Sequence, residues 1–459
     1  MKKYNKYLLL KTKWIFKMNY RNLIVGFVLI LFAVNLTNAQ TLDSLISEAL
    51  NNNQQLKGLG YKIKSAEYKI ESANTLPAPT LGIEFSQIPV SSLNIIDDAI
   101  SNSVSISQMF PIGGKPTAMA EVEKKNVNIE QNNLEVYKVN LIAKIKMTYY
   151  NLWLLERKIE IQNKSIILLN DLLSSINTLY QINRINQADL LSIKSETASN
   201  QTQLLNLNRD ATTEIYKLNQ LLGRNLSSKS LYTVLELKTD SLNISQDKLE
   251  TILSNINPSL KRMRNMIEMN KAMIYANNKE LIPDLMIQGM VMRMPQGMFL
   301  TSKTDLNMLA MGRPKTEYMY SIMASITLPF APWSVKKYTA REEELLSGIK
   351  AIEYEKTNMQ QEMILGLQEA FTKLNTAKDL IKLYSQNVIP LYQQTAEVQT
   401  SNYQNGQTSI NSVIDSYQML LMQQMNLFMA KADYNMAIAE IEMMVGKEIK
   451  NGELNNEIF

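Results

Sequence analysis

From Pro116 to Ile182 the chain contains no proline or glycine beyond the first residue. Leu141, Ile145, Leu152 and Leu155, with Thr148 among them, recur at three- and four-residue spacing, the period of one helix face. At about 1.5 Å per residue such a helix is a rod of roughly 100 Å. A small domain cannot bury a rod of that length, so the stretch asks for a coiled-coil scaffold or a tube of helices. Breakers are scarce throughout, 15 Gly and 12 Pro in 459 residues, while Leu, Ile, Lys, Glu, Gln and Asn dominate, a composition that favours long helices.

The plan occurs twice. "YQINRINQADLLSIKSE" from Tyr180 aligns with "YQNGQTSINSVIDSYQM" from Tyr403 at an offset of 223, and Gly223 and Gly446 meet at the same offset. Upstream, Leu56 and Pro79 meet Leu260 and Pro283 at an offset of 204. An internal duplication explains both registers, and the second copy is the longer between Pro283 and Thr339, by the difference of the two offsets. The expected division is a leader over 1–39, a first repeat over 40–247 and a second over 248–459. Each repeat reads as a helix (about 42–75 and about 247–280), a β-hairpin (about 80–110 and about 284–330) and a long helix pair. The helix pairs turn near 183–187 and 404–408, and Pro390 is placed to kink the second outgoing helix.

The hairpins alternate. In "TLGIEFSQ", Leu81, Ile83 and Phe85 oppose Gly82, Glu84 and Ser86; in "SVSISQM", Val104 and Ile106 oppose Ser103, Ser105 and Ser107; in "SIMASITL", Ile322, Ala324, Ile326 and Leu328 oppose Ser321, Met323, Ser325 and Thr327. One apolar and one polar face suits a barrel with lipid outside and water inside. It equally suits an amphipathic hairpin on a soluble core.

The N-terminus is set apart. Lys2, Lys3, Lys6, Lys11, Lys13, Lys17 and Arg21 precede "NLIVGFVLILFAV", and "NLTNAQ" follows. Basic region, short apolar run and small-residue cleavage site form a secretory signal cut after Ala39; an uncleaved anchor is the alternative, though the run is short for a span of about 20 residues. Met18 is an alternative start. Losing seven basic and no acidic residues takes the formal charge from +5 to −2, which removes the case for nucleic-acid binding. No later stretch is long and apolar enough for a membrane helix, so a membrane-embedded mature chain has to be a β-barrel. With no Cys there is neither a disulfide framework nor a lipid-modified N-terminal cysteine.

With neither His nor Cys in the chain, Ser-His and Cys-His nucleophiles and ordinary zinc sites are excluded. "PIGGKP" (Pro111 to Pro116) departs from a P-loop: Met109 stands where the first Gly belongs and Pro116 where Ser or Thr belongs. No enzyme activity and no cofactor is expected.

In "LPAPTLGIEF", "SVSISQMFPIGGK" and "YQNGQTSINSVIDSYQMLL…AKADYNMAIAEIEMMVGK", in their order and spacing over roughly 41–447, the chain resembles the TolC family of outer-membrane efflux ducts. The resemblance implies a mainly α fold with a small β part: a long antiparallel α-helical coiled-coil barrel, with four strands per subunit contributed to a trimeric transmembrane β-barrel. It implies a homotrimer in outer-membrane lipid with a periplasmic tunnel. The partners implied are a periplasmic membrane-fusion adaptor and an inner-membrane efflux pump, of RND type. A soluble periplasmic coiled-coil interaction protein is the rival of another class.

The methionines are the distinguishing feature. Of 27, thirteen fall between Met263 and Met323. Setting Pro283 on Pro79 puts Leu285, Ile287 and Val291 on the apolar face of their strand. Met286, Met290, Met292 and Met294 then share the polar face with Gln288. Met298 follows in the insertion, and Met319 and Met323 share parity with Ser321 and Ser325. Arg293 falls on the outer parity, which marks the strand's extracellular end. A thioether is a soft donor suited to Cu(I) or Ag(I); it is equally a pliable apolar filler. Met263, Met266, Met269 and Met273 read as filler on a helix. Family members tied to copper and silver export make transient contact with such ions the natural specialisation of the strand and loop methionines; a duct for drugs or other small molecules is the alternative. The resemblance also places adaptor contacts at the helix turns, near Asn183 and Gly406. The family closes the aperture there with inward carboxylates. One carries over to Asp415; the other lands on Ser412, whose first-repeat equivalent is Asp189. Both aspartates also fit an exposed helix start that complements the helix dipole.

Overall fold

The computed structural model describes residues 41–88, 90, 93–97, 99–181, 187–228, 233–238, 245–295, 297–299, 311–313 and 315–449. In chain order these form α1 (Leu42–Asn52), α2 (Gln54–Ala73), β1 (Thr80–Ser86), β2 (Ser101–Pro111), α3 (Lys115–Gln181) and α4 (Gln187–Leu222). There follow α5 (Gln246–Ile256), α6 (Pro258–Lys279), β3 (Asp284–Met294), β4 (Gly297–Phe299), β5 (Met311–Arg313) and β6 (Glu317–Ile326). The chain closes with α7 (Pro332–Leu383), a π turn (Tyr384–Val388), α8 (Ile389–Gln404) and α9 (Ile410–Val445). Among the described residues no helix is long and apolar enough to cross a membrane. The expected leader over 1–39 and Asn183 lie outside the described residues.

Element ends keep the two sequence offsets. Gln246 and Asp284 open α5 and β3 where the first offset carries Leu42 and Thr80, the openings of α1 and β1. The second offset carries both ends of α4, Gln187 and Leu222, onto the ends of α9, Ile410 and Val445. Two compact units cut across this repetition: Met1–Ala49 with Thr148–Lys238, and Leu50–Met147 with Thr239–Phe459.

The run from Lys115 is one helix of 67 residues. The helices expected over about 42–75 and 247–280 are each split in two. Asn53 Oδ1 accepts from the N–H groups of Gln55 (3.0 Å) and Leu56 (3.2 Å). Asn257 Oδ1 does the same for Ser259 (2.8 Å) and Leu260 (3.3 Å). Each asparagine takes extended backbone and caps the helix that follows, and Pro258 occupies a first-turn position where no N–H is needed. At Pro390 the helix passes through the π turn, in which the Ile389 N–H reaches Tyr384 O. Wider i→i+5 bonding absorbs the donor that proline lacks.

In the first unit Leu45, Leu152, Trp153, Ile193, Leu218 and Leu222 are buried, and Arg224 pairs with Glu48 (2.6 Å). Gln162 and Ser165 both donate to Asn200 Oδ1 (2.7 and 2.9 Å). In the second unit the main core joins Leu249, Leu253, Leu260, Leu367, Leu374, Tyr434, Ile441 and Val445. The α6 methionines are filler, as the helix reading expects: Met269 and Met273 pack on Ala118, Val122 and Ala276, and Met263 and Met266 on Ile267 and Ile352.

β1, β2, β3 and β6 form one antiparallel sheet in that order. The insertion adds a ribbon of its own, β4 paired with β5. "PIGGKP" is the joint between sheet and helix. A Cβ at Gly113 would stand 2.4 Å from Ile282 Cδ1, so only glycine lets the chain pass. Lys115 is buried and pairs with Asp284 (2.8 Å) at the start of β3. Its lysine therefore ties the two copies together where β2 ends and β3 begins.

Candidate functional site: the thioether-bearing face of the sheet

Strand alternation gives the sheet two unlike faces. On one, rows of directly paired residues read Ile83–Val104–Val291–Tyr320 and Leu81–Ile106–Gly289–Ile322. These side chains are exposed on the single chain, Leu81 to 68% and Ile322 to 77%. Apolar contacts left open on a sheet need a covering medium.

The rows of the other face read Glu84–Ser103–Met292–Met319, Gly82–Ser105–Met290–Ser321, and Thr80–Ser107–Gln288–Met323, followed by Met109–Met286–Ser325. A Cβ at Gly82 would meet Ser105 Oγ at 2.7 Å, which places that hydroxyl on this face. Directly paired positions lie about 4.5–5.5 Å apart at Cβ and diagonal ones about 7–8 Å. Met292 therefore stands beside Met319, and Met290 lies diagonal to both Met319 and Met323. Met286, Met319 and Met323 are exposed; Met290 and Met292 are half-buried.

The structure thus gathers Met286, Met290, Met292, Met319 and Met323 on one patch with serines and one carboxylate. Met294 continues the parity opposite Glu317. Met298 lies in β4 opposite Gly312, with its side chain outside the described residues. Sequence reasoning missed Met109, which pairs with Met286. The signal was present in its parity with Ser103 and Ser105; what was missing was the pairing of β2 with β3, a contact between the two copies.

Among the described residues no group of three His, Cys, Asp or Glu converges. The donors of the patch are thioether sulfur and hydroxyl oxygen, a set whose sulfurs favour soft monovalent ions over Zn(II) or Mg(II). Arg293 lies on the apolar face between Asn102 and Tyr318, at the loop end of the sheet, with Asp97 at 3.4 Å.

The two aspartates expected at an aperture, Asp189 and Asp415, sit on α4 and α9. Asp189 is in the first turn of α4, where a carboxylate meets the helix dipole. Asp415 is exposed, one turn deeper in α9. Ser412 receives the Ser409 cap, its N–H donating to Ser409 Oγ at 3.3 Å. Gly406 takes the left-handed conformation between α8 and α9, with Gln407 N–H bonded to Asn402 O (2.9 Å), and a Cβ there would meet open space.

The family model for outer membrane efflux proteins matches residues 45–224. Among curated proteins none matches this chain in sequence. In solved structures the fold is shared with the CmeC outer membrane channel of Campylobacter jejuni (15% identity, 90% of this chain and 87% of that one, TM-score 0.71). It is shared with the open-state MtrE outer membrane channel of Neisseria gonorrhoeae (15% identity, 89% of each chain, TM-score 0.68). It is also that of CusC, whose structures concern folding and transmembrane channel formation (16% identity, 88% of this chain and 92% of that one, TM-score 0.69). At these identities the likeness establishes the fold.

Proposed function

We propose, from the match of residues 45–224 to the outer membrane efflux protein family model, that this chain is the outer-membrane channel of a tripartite efflux system and exports Cu(I) or Ag(I). The two-faced sheet carries the proposal. Its apolar face suits lipid, but β1 and β6 each leave one edge unpaired among the described residues. Lipid offers no partner for those edge groups, so the sheet has to close on other copies. Three copies close it with twelve strands. The helices then form a periplasmic tunnel that meets a membrane-fusion adaptor and an inner-membrane pump of RND type at the turns near Asn183 and Gly406. Asp189 and Asp415 ring the aperture. The channel conducts passively and catalyses no reaction, and the leader over 1–39 exports it.

The cargo follows from the polar face. Thioethers without His or Cys hold a soft ion weakly, which suits passage rather than storage. Replacing Met286, Met290, Met292 and Met294 with Leu keeps volume and apolar character and removes sulfur. Copper or silver tolerance of cells should fall, while protein level and tolerance to a bulky drug stay the same. Met substitution at Ile287 and Val291, of opposite parity, should change little. A Leu variant that protects as well as the parent would mark the chain as a general small-molecule duct.

A further inference from the structure

α9 carries a second set of thioethers. Asp415, Met419, Met422, Asn426, Met429, Asp433 and Met436 follow one another at alternating steps of four and three positions, which keeps them on one helix face. Met419, Met422 and Met429 are 48%, 51% and 38% exposed, while the rest of the helix buries Val413, Leu420, Ala430, Ala437 and Ile441.

Two observations set this line apart from a packing seam. Every apolar residue on it is methionine, with no Leu, Ile or Val, whereas seams favour side chains of defined rotamer. The internal copy supplies the second. At the offset of 223, α4 carries Ser192, Glu196, Ser199, Gln203, Asn206, Asp210 and Thr213 on the equivalent line. That line is wholly polar and each of its residues is half-buried or exposed. The α9 methionines therefore occupy a face whose counterpart is made for water. Successive positions rise about 4.5–6 Å along the axis, a step that long, flexible thioethers can bridge. The next residue on the line, Glu440, is held by Lys373 Nζ at 2.9 Å. Both border a groove of ≈ 440 Å³ that Asp433 and Met436 share, so the open line ends at Met436.

We propose that this line is a transfer track for monovalent soft cations, Cu(I) or Ag(I), which pass between thioethers while the carboxylates hold positive charge near the wall. The track rests on the channel reading above, and its beginning at Asp415 would put its first donor at the aperture. The test uses the full-length protein in detergent with its methionine ε-methyl groups isotope-labelled, titrated with silver nitrate and followed by NMR. The methyl signals of Met419, Met422, Met429 and Met436 should shift. In the variant with all four changed to Leu, silver should block current through the channel less than in the parent, in a planar bilayer bathed in potassium nitrate, with the sheet methionines left in place and potassium conductance unchanged. A parent that conducts but whose four α9 methyls stay unshifted by silver overturns the track and leaves the channel. That is also the result expected if the line packs against a second copy. A parent that forms no channel at all overturns the channel reading instead.

Discussion

Lys146 Nζ lies 2.6 Å from Glu442 Oε2, with both side chains 9% exposed. Glu448 reaches the same ammonium at 3.3 Å, and the Ile449 N–H donates to Glu442 Oε1 at 3.1 Å. A helix from the first copy is thereby pinned to the end of α9 by a pair that leaves little room for water. Changing Lys146→Met strands a buried carboxylate and should cost about 3–5 kcal/mol. The double variant Lys146→Met/Glu442→Leu should recover most of it. Thermal unfolding of the full-length protein in detergent, followed by circular dichroism, reads both; equal stability of parent and single variant would show that the pair contributes nothing.

The same site sets a pH dependence. Burial pushes the Glu442 carboxyl up from its ordinary value, while Lys146 and the Ile449 N–H pull it back down. A carboxyl raised in the folded state binds its proton more tightly there, so its contribution improves as pH falls through the folded value and worsens as pH rises. Without Lys146 the upward push is unopposed by its main partner. The stability deficit of Lys146→Met should shrink between about pH 8 and about pH 5; a deficit that grows on acidification contradicts the assignment.

The caps at Asn53 and Asn257 are equivalent in geometry but not in cost. Asn257 also donates from Nδ2 to Met444 O at 2.8 Å. Asn53 Oδ1 also accepts from the Tyr137 hydroxyl, at a longer 3.4 Å, and Asn53→Ala should lose chiefly the capping energy, about 1 kcal/mol. Asn257→Ala should lose more, because a partly buried carbonyl is left without its donor. Asn257→Ser keeps a capping acceptor and, being shorter, removes the donor without setting a charge against Met444 O, so its melting point should fall between parent and Ala variant.

Gly446 and Gly406 share the left-handed backbone, with φ of 85° and 71°. A Cβ at Gly446 would lie 2.5 Å from Pro258 Cδ; at Gly406 nothing lies within 4 Å. Gly406→Ala should cost only the backbone strain, about 1–2 kcal/mol, and Gly446→Ala clearly more. Comparison of the two melting points decides it, and similar values would mean that the α9 terminus shifts to make room.

Asp189 and Asp415 are the acidic residues proposed to line the aperture. Replacing both with Ala should raise single-channel conductance in a planar bilayer and weaken cation block. Unchanged conductance would leave Asp189 as a residue that complements the start of α4 and Asp415 as an exposed surface charge.

Local periodicity was enough for much of this molecule. The long helix α3 follows from an unbroken helical pattern, and the parity of Met290 and Met292 from period-two alternation, because each is written within a few neighbouring residues. The repeated pattern was legible for the same reason, since two stretches at a fixed offset need no contact to be compared. The split at Asn53 and Asn257 was locally encoded as well, but a capping asparagine inside a helical pattern reads as a tolerated helix residue until its backbone is seen to be extended. Other features depended on tertiary structure alone. The pairing of β2 with β3, which brings Met109 to Met286 and Ser103 to Met292, joins strands from different copies of the repeat. The burial of Lys146 beside Glu442 likewise joins residues far apart in the chain. The exposure of the α9 thioethers is of this kind too: methionine suits core and surface alike, so only the packing of the neighbouring helices decides which of its sulfurs meet water.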